Sequence, residues 1–257
     1  MTGRGRLYAN LATLANGAVG VGAVLYLLAG NKLWAMLLII AGLGFDGLDG
    51  LLSRRSGTPG GWFGRVADSV ADSVTFGVAP AALIVVHTDH TRLWAPWSSV
   101  TLAVGAALFV LAVARLVYFT LKAHHLPYFL GAPTPQTALA VIVFVLFGDV
   151  PGFWGTDPLF VLVGSAAVAA LMVVPIRFPK IRRGSKLRGP MTITAVALVV
   201  AILPLQFHPA TGSFGYLLAL GAALVGAAGI ATYYLVGPWT VPSAEPVTET
   251  AVLGDPK

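Results

Sequence analysis

Residues 45–72 read FDGLDGLLSRRSGTPGGWFGRVADSVAD and carry four aspartates, Asp46, Asp49, Asp68 and Asp72. They stand in a chain of 257 residues that is 57% hydrophobic and only 10% charged. A water-soluble domain carries roughly 25% charged residues. So little charge cannot cover a water-facing surface, and a mean hydropathy of +0.83 makes the bilayer the fitting solvent. A carboxylate within that solvent costs ~2.5 kcal/mol or more and is retained for a function.

Outward from this stretch, the apolar pattern predicts an all-α bundle of about eight membrane spans, each needing ~20 apolar residues. They fall at 7–29, 33–52, 62–86, 98–121, 136–147, 158–176, 190–207 and 214–236, the fifth being short. Residues 1–237 read as one transmembrane catalytic domain, and 238–257, rich in Pro, Thr and Glu, as a disordered cytoplasmic tail. No cleavable signal peptide is expected. With the N-terminus in the cytoplasm, Arg4, Arg6, Arg54, Arg55, Lys122, Arg177, Lys180, Arg182, Arg183, Lys186 and Arg188 all fall inside, while Lys32 and Arg92 fall outside. Trp62, Trp94, Trp97, Trp239 and the Tyr233–Tyr234 pair read as interface anchors. Cysteine is absent, which excludes disulfides and thiolate metal sites. Nothing points to nucleic acid.

Asp46 and Asp49 are three residues apart and Asp68 and Asp72 four apart, so each pair shares a helix face. A turn near Gly57 to Gly61 would fold the two helices into a hairpin that brings the pairs together. Four carboxylates repel one another and need cations. The donor set is all oxygen, which suits Mg²⁺, Mn²⁺ or Ca²⁺. Gly50 and Gly64, one turn from Asp46 and Asp68, read as openings for a ligand. Gly42, Gly44 and Gly47 read as helix-packing positions. Arg54 lies on the stripe of Asp46 and Gly50, and a guanidinium beside such a cluster suits a phosphate-bearing substrate.

Read as a string, Asp46-x-x-Asp49-Gly50-x-x-Ser53-Arg54-x9-Gly64-x-x-x-Asp68-x-x-x-Asp72 resembles the signature of the CDP-alcohol phosphotransferases. Ser53 stands where that signature has Ala. The spacer after Arg54 is nine residues instead of eight, so Arg55 competes with Arg54 for the motif position. Further along, FGRVADSVADSVTFGVAPA (63–81), ARLVYF (114–119), FLGAPTPQTA (129–138) and LMVVPIRFPK (171–180) resemble segments of the phosphatidylserine synthase branch, in the same order.

The resemblance implies transfer of the phosphatidyl group from CDP-diacylglycerol, or a CDP-archaeol-type lipid, to serine, with release of CMP. It implies two divalent ions, Mg²⁺ or Mn²⁺, held by Asp46, Asp49, Asp68 and Asp72, with Asp68 bridging and Asp72 shared or acting as general base. It places Gly50, Ser53 and Gly64 at the cytidine, Arg54 at phosphate or ribose, and Asn10 and Thr13 near the nucleotide. For the carboxylate of serine the candidates are Arg115, then Arg177 and Lys180. His124 and His125 read as solvated loop residues. The family analogy adds a homodimer in a prokaryotic cell membrane, with the site facing the cytoplasm. The alternatives are another acceptor, inositol phosphate or glycerol phosphate, and a divalent-cation transporter built on the same carboxylates.

Overall fold

Helices dominate because nearly every window is apolar and a chain in lipid must satisfy its backbone within the segment. The computed structural model describes residues 2–55, 62–90, 95–123, 126–149, 158–181, 185–207 and 213–241. Helix α1 (Thr2–Leu28) lies along α2 (Lys32–Arg55). Helix α3 (Trp62–Asp72) passes through a π-helical stretch, Ser73–Val78, into α4 (Ala79–His90). Helix α5 (Ala95–Tyr118) ends in a second π-turn, Phe119–Ala123. Helices α6 (Thr134–Gly148), α7 (Pro158–Leu171), α8 (Arg188–Phe207) and α9 (Phe214–Val236) complete the bundle, and Gly237–Thr240 forms a 3₁₀ turn.

Six helical segments among the described residues are long and apolar enough to cross a membrane, and the chain is an integral, multi-pass membrane protein. The fifth and sixth expected spans form shorter helices, α6 of 15 residues and α7 of 14, instead of full-length ones. At 1.5 Å per residue, α6 is about 22 Å long. It can be short because it is the central helix: it is buried on nearly every face and packs against α4, α5, α7 and α9. The lipid-facing apolar surface belongs to outer helices, with Leu14 and Leu28 on α1 and Leu217 and Leu235 on α9 exposed.

Two short strands interrupt the all-helical expectation. β1 (Tyr128–Leu130) and β2 (Arg177–Pro179) pair antiparallel, Phe129 opposite Phe178. The chain turns out of β1 at Gly131, whose φ is +76°, and its N–H donates to Ile176 O. Ala132 N–H then caps the last carbonyl of α7, Leu171 O, at 2.8 Å. Pro133, extended, precedes α6, and Pro135 sits in the helix's first turn, where a missing N–H costs nothing. Phe178 is buried under Tyr233, with ring centroids 5.7 Å apart, and Tyr233 Oη donates to Pro179 O. The tyrosine pair expected at the membrane interface is therefore a core element instead: Tyr233 is fully buried, and the Tyr234 hydroxyl meets the Thr137 hydroxyl. Trp62 and Trp239 are exposed, as anchors would be, while the Trp94 and Trp97 side chains lie outside the described residues.

At the bundle end away from the aspartates, a polar clasp joins three helices. Lys32, opening α2, contacts Asp149 just after α6 at 2.5 Å, and His87 of α4 lies buried beside both. Gly148 permits this approach, since a Cβ there would lie 2.8 Å from His87 Nε2.

The Gly131→Ala substitution should break the ribbon. Its Cβ would overlap the Met172 carbonyl oxygen, and the left-handed backbone adds ~1–2 kcal/mol for any L side chain. The expected result is a melting temperature in detergent several degrees below that of the unmodified protein, together with reduced turnover.

Candidate active site

The last three turns of α2 and the length of α3 bring the four aspartates to one place. One carboxylate oxygen from each of Asp46, Asp68 and Asp72 lies within 4.8 Å of the others. Asp49 stands beside this group, near enough to Asp68 for a side-chain hydrogen bond, and all four line one cavity of about 620 Å³. Among the described residues, Asp68 Oδ1 is buried without a hydrogen-bond partner. An orphaned buried oxygen in an all-oxygen cluster fits a hard divalent cation. A buried acidic cluster compatible with such an ion is thus a feature of this chain.

Helix α1 supplies the support behind the carboxylates. Thr13 Oγ1 donates to Asp49 Oδ2 at 2.9 Å, and Asn16 Nδ2 donates to Asp72 Oδ1 at 2.8 Å. Sequence reasoning paired Asn10 with Thr13; the structure pairs Thr13 with Asn16, one turn further on. Asn10 is exposed and neither Asn10 nor Thr13 lines the cavity. Asn16 was passed over, although a lone Asn in an apolar span is itself a signal. The close approach of α1 to α2 and the π-stretch rests on glycine. A Cβ at Gly20 or at Gly42 would run into the Thr75 side chain.

Gly50 lines the cavity, and so do Gly44 and Gly47, where an added Cβ meets nothing within 4 Å. Gly44 and Gly47 therefore open onto the cavity instead of packing a helix, while Gly42 does pack. Gly64 is not among the lining residues. The side chains of Ser53, Arg54 and Arg55, the turn at Gly57 to Gly61, and His124 and His125 lie outside the described residues.

Cations line the same cavity as the acids. Arg115 is 7% exposed; its NH1 donates to Thr134 Oγ1 at 2.7 Å, and its guanidinium lies 5.1 Å from the Phe129 ring centroid. Arg115 Nε is buried without a partner. Lys180 Nζ donates to Leu126 O and sits near the rings of Phe119 and Phe129. The β1–β2 ribbon thus carries Phe129 and Lys180 to the cavity wall. Arg177, in the same ribbon, is not among the lining residues, and its guanidinium stacks on Tyr128. Arg65 and Arg188 also line the cavity and were not singled out from the sequence. Ser69 and Thr120, hydroxyls 2.5 Å apart, tie α3 to the π-turn after Arg115.

A polytopic helical bundle with clustered aspartates and a buried arginine lining one cavity is an arrangement for phosphoryl chemistry at a membrane. The chain matches the CDP-alcohol phosphatidyltransferase family over residues 6–174, and it belongs to that family; it is an enzyme of that class. It is 30% identical over 181 residues to the CDP-diacylglycerol–serine O-phosphatidyltransferase of Helicobacter pylori (strain ATCC 700392 / 26695), covering 69% of this chain and 73% of that one. It is 29% identical over 171 residues to the enzyme of the same name from Bacillus subtilis (strain 168), covering 66% and 89%. To the archaetidylserine synthase of Methanothermobacter thermautotrophicus it is 28% identical over 174 residues, covering 67% and 69%. Nothing in these likenesses supports the transporter alternative.

The two ribbon cations should separate in their effect on turnover. Lys180→Met should lower it about tenfold, the loss of one charged hydrogen bond of ~1.5 kcal/mol. Arg177→Met should leave it within about twofold, since surface contacts carry little. CMP release by each purified variant measures this.

Proposed function

We propose that this enzyme transfers the phosphatidyl group of a CDP-linked lipid, CDP-diacylglycerol or its archaeol-type counterpart, to serine. The observation that carries the reading is Arg115: a buried guanidinium facing the same cavity as the aspartates, where a small acceptor bearing a carboxylate needs a positive partner. The names of the relatives, CDP-diacylglycerol–serine O-phosphatidyltransferase and archaetidylserine synthase, support serine over inositol phosphate or glycerol phosphate.

In this proposal Asp46, Asp49, Asp68 and Asp72 would hold two divalent cations, Mg²⁺ or Mn²⁺. When bound, these ions neutralise the pyrophosphate and stabilise the attacking and leaving oxygens. The protein's own residues do the rest. Asp72 takes the proton of the serine hydroxyl as the new P–O bond forms, and CMP departs as the old P–O bond breaks. Arg115, fixed by Thr134 and Phe129, receives the serine carboxylate, and Lys180 lies near enough to share an anionic group. Gly44, Gly47 and Gly50 leave room on α2 for the nucleotide side of the lipid, with Arg54 directed to phosphate or ribose. The buried setting keeps water from competing with serine for the phosphorus.

The transmembrane body to residue 237 acts as one catalytic domain in this reading, in a prokaryotic cell membrane. Lys122, Lys180, Lys186 and Arg188 belong to the aspartate end of the bundle, which supports a site facing the cytoplasm. A homodimer is the proposed assembly, resting on the family resemblance alone.

Purified protein given CDP-diacylglycerol, Mn²⁺ and a panel of labelled alcohols should release CMP with serine, and Asp68→Asn should not. Release with glycerol phosphate or inositol phosphate only would overturn the acceptor. Arg115→Ala should raise the serine KM about tenfold or more while the KM for CDP-diacylglycerol changes little. An unchanged serine KM would remove Arg115 from the acceptor site.

A further inference from the structure

Asp72 has a dedicated partner on another helix. Asn16 is 0% exposed, in the middle of α1, and its amide donates to Asp72 Oδ1 at 2.8 Å. In a membrane span such a polar group is costly unless it is paired. The α1 turn that carries Asn16 is itself held: its main-chain carbonyl oxygen accepts from Thr75 Oγ1 at 2.8 Å, and Thr75 is wedged where Gly20 and Gly42 leave out a side chain. Asp72 is the last residue of α3, and the π-helical stretch begins at Ser73. The α-helical register breaks there, so α3 alone leaves the carboxylate's aim underdetermined. Asp72 and Thr75, on opposite sides of that break, both bond to Asn16: its side-chain amide donates to Asp72, and the Thr75 hydroxyl donates to its main-chain carbonyl.

The contrast with Asp49 sharpens this. Thr13, one turn earlier on α1, holds Asp49, and Asp49 is the aspartate that stands outside the compact Asp46–Asp68–Asp72 group. Asp72, bonded to Asn16, lies within it.

We propose that Asn16 is a positioning residue. Its amide occupies one oxygen of Asp72 and so fixes the carboxylate that joins Asp46 and Asp68 in the cluster. The proposal rests on the metal-dependent reading of the site but not on the identity of the acceptor. Partners of this kind, behind a metal-binding side chain, change affinity or activity by about 10–100-fold when removed.

The test is a double-mutant cycle read by Mn²⁺ binding, followed by electron paramagnetic resonance on the detergent-solubilised protein, with kcat and KM measured alongside. Asn16→Leu fills the volume without a donor. It should weaken Mn²⁺ binding and lower kcat by about tenfold each, with the serine KM within about twofold and the melting temperature little changed. In an Asp72→Asn background the same substitution should alter Mn²⁺ affinity by less than about twofold, because its only route is through Asp72. Asn16→Ala, which removes the donor without adding volume, should shift Mn²⁺ affinity in the same direction by a similar factor, and it serves if Asn16→Leu fails to fold. Wild-type Mn²⁺ affinity in both Asn16→Leu and Asn16→Ala, or an equal loss with and without Asp72, would overturn the proposal. Failure to bind Mn²⁺ in the unmodified protein would overturn it together with the metal reading. CMP release without serine dependence would sink only the acceptor assignment.

Discussion

The electrostatic problem of four carboxylates in a membrane-embedded bundle governs this structure. Alone, each would be expelled toward water, and together they repel. They persist because the bundle surrounds them with compensation. Thr13 and Asn16 donate from α1, and Arg115 faces them from α5. The donor geometry suits a hard cation. Each compensating group needs a helix in a fixed place, so helix packing and site geometry are one constraint. The glycines at 20 and 42, which let α1 settle against Thr75, belong to that constraint as much as the aspartates do.

The two π-helical stretches follow from the same demand. One begins after Asp72 and the other shortly after Arg115, and Ser69 and Thr120 join the two neighbourhoods. Each changes the helical register within about one turn of a side chain that lines the cavity. The β1–β2 ribbon does for the loops what these stretches do for the helices. It uses six backbone positions to bring Phe129, and Lys180 just after β2, onto the cavity wall.

What could be read in advance was what recurs at short range. The spacing of the aspartates fixed their shared face, and the apolar windows fixed the helical bundle. The order of the quoted motifs identified the family. Long-range pairing left little local trace. Strands of three residues are too short to show alternation, so the ribbon was invisible although both of its motifs had been noticed. Tyr233 and Tyr234 were misplaced because an amphipathic ring suits the interface and a polar core equally well. The choice was made by Phe178 and Thr137, from distant segments. Gly44 and Gly47 look like Gly42 in sequence; only the neighbouring helix tells a packing glycine from one that opens a cavity.

The clasp of Lys32, His87 and Asp149 gives the bundle a mechanical polarity. It rivets α2, α4 and α6 at the end remote from the aspartates. The other end is hollowed by the cavity and bounded by a ribbon of six residues and the polar contacts around Arg115. Lys32, His87 and Asp149 stand apart from every residue that lines the cavity, so the bundle's closed end can be altered without touching the chemistry at its hollow one.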